Sequence, residues 1–145
     1  MGVGAKAEES FGDTIWKYRE KKTPLSRVPE RIDLLCQSIF GRPMDEGLGP
    51  LRYQLLHGVG GTLIEAKKRK AEQALLVVHE FISDKVGLNN VKRNAADFER
   101  FARTFPDLKS ADVDRGVLMG PIRVPGGRFV PGDIPLCIGK VRADF

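Results

Sequence analysis

The sequence predicts an α/β fold built as one domain, residues 1–145. That length suits a single domain with a core of its own. Two segments carry the 3.6-residue apolar stripe of an amphipathic helix. The second leads directly into Ala74-Leu75-Leu76-Val77-Val78, a continuous apolar run rich in β-formers. Such a run reads as a strand buried on both faces, in a sheet covered by helices. A helix leading straight into it is half of a β-α-β unit.

The elements follow in order. Asp13 is positioned to cap a helix over residues 14–22, which holds Ile15, Trp16 and Tyr18 and stops before Pro24. Residues 26–41 form the first clear stripe, with Ile32, Leu35, Cys36, Ile39 and Phe40 on one face. Pro29 and Glu30 suit its first turn and Gly41 its end. Residues 42–50, rich in Gly and Pro, read as a surface loop. From 51 to 73 the residues Leu56, Val59, Leu63 and Ala66 line a second helix, widened by Leu55 and Ile64. The strand over 74–81 comes next, then a polar loop over 83–93. Asn94 caps a helix reaching Phe105, with Phe98, Phe101 and Ala102 inward. Strands over 117–124 and 134–142 close the chain, set off by the Pro125-Gly126-Gly127 and Pro131-Gly132-Asp133 turns.

Composition narrows the classes. No apolar run approaches the ~20 residues that span a bilayer, and residues 1–10 lack the apolar centre of a secretory signal. A cytoplasmic protein with no membrane partner is expected. Cys36 and Cys137 sit in apolar runs and form no CxxC pair, so two buried thiols are expected, with no metal and no disulfide. The net charge of +5 permits a phosphate-backbone partner without requiring one.

Four places hold residues that can carry chemistry. His57-Gly58-Val59-Gly60-Gly61-Thr62 fails the phosphate-loop pattern, because no Lys follows Gly61, and fails GxGxxG at Leu63. The apolar stripe continues in phase across these glycines. A helix interior is therefore expected, with close packing to offset roughly 2–3 kcal/mol against alanine. His57 and His79 are too few to hold a metal. His79, at the carboxyl end of the buried strand, stands where open α/β sheets receive ligands. Arg52, with Gln54, opens the long helix and can meet a phosphate or pair with an acid. Lys67-Lys68-Arg69-Lys70 reads first as a solvated helix end.

The run RYQLLHGVGGTLIEAKKRKAEQALLVVHEF resembles the signature of an uncharacterised bacterial protein family: an RYQLLH-type helix, small residues, LIEA, then a strand ending in VH-x-F. PERIDLLCQSIFG, DFERFARTF and IPLCIGKVR resemble it in the same order, and together they cover most of the chain. That family looks like a restriction-endonuclease-like, PD-(D/E)XK domain. The resemblance implies a restriction-endonuclease-like core, a small mixed sheet flanked by helices, with an edge strand around residues 3–7 beside the strand at 74–81. In that superfamily an Asp and a Glu-x-Lys on neighbouring strands hold Mg²⁺ and a catalytic water. Lys6 matches the motif lysine. Gly4 stands where the metal-binding carboxylate belongs, and Glu8 and Glu9 fall in a different register. The upstream helix and Asp-bearing strand have no counterpart, so N-terminal elements are expected to be missing.

The resemblance therefore implies a nuclease-like domain whose complete form hydrolyses nucleic acid with Mg²⁺. Lys6 would be its catalytic lysine, and Arg52, Gln54, His57 and His79 would lie on the substrate side. Hydrolysis by this chain alone is not expected. The alternative is a non-catalytic nucleic-acid- or protein-binding module using Lys67–Lys70 together with Lys92 and Arg93.

Overall fold

The structure, a computed structural model, describes residues 2–6, 12–20, 27–82, 88–108 and 118–144. Along the chain these form β1 (Gly2–Lys6), α1 (Ile15–Glu20), α2 (Val28–Phe40), α3 (Tyr53–Lys68), β2 (Ala74–Ile82), α4 (Leu88–Thr104), a short 3-10 turn at Pro106–Leu108, β3 (Leu118–Ile122) and β4 (Leu136–Asp144). The strands make one mixed sheet in the order β1-β2-β4-β3. β2 is parallel to both β1 and β4, and β3 runs antiparallel to β4. The α/β class and the mixed sheet agree with the sequence. So does the edge strand, with Gly2 opposite Leu76 and Lys6 opposite Glu80.

Local chemistry explains the boundaries. Pro29 sits in the first turn of α2, and Gly41 ends it at φ 78°, its N–H donating to Gln37 O. In the loop that follows, Asp45 Oδ1 accepts from the Gly47 and Leu48 N–H groups, both at 2.9 Å, and Oδ2 from Arg42 Nε at 2.7 Å. The Leu48 amide, then Arg42, hold its carboxyl below the usual carboxylate range. That loop carries Leu48 and Leu51 into the core. The start of α1 is stitched to it by Ile15 N–H donating to Leu51 O at 2.8 Å and Trp16 N–H to Gly49 O at 3.2 Å. The helix cap falls on Thr14 instead of Asp13, for Thr14 Oγ1 accepts from Lys17 N–H at 3.2 Å.

Three further expectations are corrected. α4 begins at Leu88, so residues 88–93 belong to a helix and Asn94 lies inside it, buried, and is no cap. A polar stretch that continues a helix's solvent face carries no apolar period to mark it. α3 stops at Lys68, five residues short of the expected end. Lys70 turns left-handed at φ 56°, and Ala71 N–H closes on Ala66 O at 2.8 Å.

The third correction concerns the sheet's two faces. Ala74, Leu76, Val78, Leu136 and Ile138 are buried, while Leu75, Val77 and Cys137 are only half-buried, and Leu118 and Val141 are exposed. α3 lies on the buried face, where a Cβ on Gly58 would stand 3.6 Å from Leu76. α4 approaches the same face: Lys140, in register with Val78, holds its Nζ 6.0 Å from the centre of the Phe98 ring. The strand expected to be buried on both faces is thus fully buried on one. Continuous apolarity reflects neighbours within the sheet as well as a covering layer.

Candidate functional site

β1, β2 and β4 run parallel, so their carboxyl ends gather at one edge of the sheet, where open α/β folds receive ligands. The register fixes which residues meet there. Lys6, Glu80 and Arg142 occupy one row across the three strands, each about 4.8 Å from the next. One step back toward the amino ends, the same side of the sheet holds Gly4, Val78 and Lys140. His79 lies in the intervening row with Ala5 and Val141, on the opposite face from Lys6.

Arg52 reaches the same end of the molecule, but its guanidinium is already engaged. Nε donates to Asp97 Oδ2 on α4 at 3.0 Å, and Nη1 donates to Gly12 O at 2.8 Å. It clamps three segments together, so of its two expected partners, phosphate or acid, it meets the acid. Gln54 lies beside the same backbone, its Nε2 at 2.8 Å from where a Cβ on Gly12 would be. His57 points elsewhere, toward a groove between α2 and α3 beside Tyr53. The expected constellation therefore divides. Lys6, Arg52 and Gln54 share the carboxyl end, His57 belongs to the helical groove, and His79 to the other sheet face. Glu8 and Glu9 lie outside the described residues.

The full chain, residues 1–145, matches the profile of a family described as a domain of unknown function, DUF6946. The chain belongs to that family. No curated protein and no solved structure matches it.

In this DUF6946 domain the carboxyl-end row does not fit a divalent cation. Mg²⁺ takes carboxylate oxygens, yet Gly4 and Val78 supply none, and Glu80 stands between two cationic residues. Among the described residues no group of three His, Cys, Asp or Glu side chains comes together. Reading the sequence missed Glu80 and Arg142, because neither matches a motif. Only the parallel register aligns them with Lys6.

The two basic clusters also separate. Lys67 and Lys68 end α3, whereas Lys92 and Arg93 lie one turn before Asp97, which is tied to Arg52 at the opposite end of that helix. Sixteen residues of α3 span about 24 Å, so the clusters do not form one surface. Arg69 is further occupied by Glu65, at 2.7 Å. Among the described residues no helix is long and apolar enough to cross a membrane.

Proposed function

We propose that this chain is a nuclease-like domain that engages nucleic-acid phosphate at the carboxyl ends of β1, β2 and β4 and does not hydrolyse it. The Lys6–Glu80–Arg142 row carries the reading: two cationic residues flank one acid where parallel strands end. The net charge of +5 and the restriction-endonuclease-like resemblance support it. Lys6 and Arg142 would meet phosphate oxygens, and Glu80 would set their spacing by attraction to both. Arg52, committed to Asp97, would hold the edge in shape instead of contacting substrate. No step is assigned to a metal, because Gly4 replaces the carboxylate that such a step needs.

The test is a gel-shift titration with duplex DNA and with RNA across salt, run beside cleavage assays in Mg²⁺ and Mn²⁺. Affinity is expected to fall linearly with log salt, with a slope reduced by about one in Lys6→Gln or Arg142→Gln. No product is expected in either metal. Absent or salt-independent binding defeats the phosphate site, and cleavage abolished by Glu80→Gln defeats the non-hydrolytic half.

A further inference from the structure

The strongest unassigned feature is the groove between α2 and α3, about 360 Å³ in volume, within the range of small-ligand sites. Its walls are open and mostly apolar, with His57 and Ser38 also on them. Leu34 on α2, Ile64 on α3 and Phe129 on the loop before β4 line it, although they are 44%, 41% and 61% exposed. Large apolar side chains gathered on one concavity mark a binding surface more than scattered ones do. Gly60 and Gly61 line it on the α3 side. A Cβ on Gly60 would press against Leu35 at 2.9 Å, but a Cβ on Gly61 would meet nothing within 4 Å. Gly61 therefore carries the helix penalty of about 1 kcal/mol with no packing contact to offset it. Its missing side chain leaves the groove deeper.

One end of the groove is polar. Arg31 and Tyr53 line it there. The Tyr53 ring stacks on Tyr18, their centroids 3.8 Å apart. Arg31 on α2 and Tyr53 on α3 face the same groove. Arg19, Arg42, Arg52, Arg69 and Arg103 all pair with acids, whereas Arg31 makes no ion pair among the described residues. From Tyr53 to Ile64 the groove follows α3 for about 16 Å, from the Arg31 end to an apolar end.

We infer that this groove binds a small amphipathic carboxylate, its head on Arg31 and Tyr53 and its apolar body along Leu34, Gly61 and Ile64 toward Phe129. Charge complementarity selects the anion, since a guanidinium accepts a carboxylate in bidentate geometry. The apolar wall selects the body. This site is separate from the sheet edge proposed above and stands or falls independently of it.

Decanoate below its micelle concentration is the probe, followed by backbone-amide NMR titration and calorimetry on the full chain. Saturable shifts are expected at Gly60, Gly61 and Ile64. Arg31→Gln should weaken decanoate at least tenfold while leaving decanol unchanged, and Leu34→Glu should weaken both. Gly61→Phe, whose ring would occupy the groove, should abolish both while circular dichroism stays native. Leu34 is exposed, so its variant reports even if the glycine variant misfolds. Decylammonium binding as tightly as decanoate would overturn the proposal. So would shifts absent at millimolar probe, equal decanoate affinity in Arg31→Gln, or an acidic amphipathic peptide displacing no bound decanoate while covering the same amides.

Discussion

At the scale of single residues, Gly49 and Gly61 separate two reasons for a glycine. A Cβ on Gly49 would fall 2.0 Å from Cε2 of Trp16, so the indole and the loop that carries Leu48 close together only without a side chain there. A Cβ on Gly61 would enter open space. Gly49→Ala is therefore expected to cost about 1 kcal/mol or more and to change the fluorescence of Trp16, the single tryptophan. Gly61→Ala is expected to stabilise by about 1 kcal/mol, raising the melting temperature by a few degrees. Urea unfolding of both variants checks the pair, and a destabilising Gly61→Ala would show that the space beside Gly61 is already occupied. The sequence marked Gly58, Gly60 and Gly61 as packing glycines. That holds closely at Gly60, and the difference at Gly61 depends on which neighbours reach each side of α3, which no local pattern encodes.

Between elements, the Arg52–Asp97 pair is the contact most able to be tested. It joins the first residue before α3 to the middle of α4, with Gly12 O as a third partner. Both side chains are largely buried, 21% and 14% exposed, so solvent screens the pair less than a surface bridge. Removing one partner leaves the other charge poorly solvated. Arg52→Ala and Asp97→Asn are each expected to cost about 1–3 kcal/mol. The double variant should cost less than the sum by about 0.5 kcal/mol or more. Denaturant unfolding of the four proteins decides it, and strict additivity would remove the clamp. The strand at 74–82 and the helix ending at Gly41 were legible because an apolar period and a stop residue coincide there. The start of α4 was not, since Leu88 to Arg93 offers only Leu88 and Val91 among polar residues, too short an apolar period to mark a helix. Arg52 was legible as a residue with two possible partners, and its choice needed α4 to be in place.

Over the whole molecule, the class of fold was readable from the helix-to-strand junction, while the number of layers was not. Alternating burial along β2, with Leu76 and Val78 covered and Leu75 and Val77 half-covered, follows from where α3 and α4 settle. The candidate site was half readable: Lys6 by its motif, Glu80 and Arg142 only through the register. Two groups on α2 and α3 make stability depend on alkaline pH. Burial, reinforced by Asp33 and Asp45, pushes the Cys36 thiol from 9.0 up to about 12. Burial, then Tyr18, pushes the Tyr53 hydroxyl from 10.0 up to about 12. Both groups thus keep their protons in the folded chain at pH values where the unfolded chain has lost them. Stability from these groups is whole below the unfolded ionisation near 9.0 and drains as pH rises toward about 12. The fully buried Cys36 contributes a slope of at most about 1.4 kcal/mol per pH unit. Urea midpoints measured from about pH 8 to about pH 10 should fall in the native chain and fall less in Cys36→Ala, so that the gap between the two narrows. A constant gap across that range would mean the thiol ionises alike in both states, and that the core around α2 admits water.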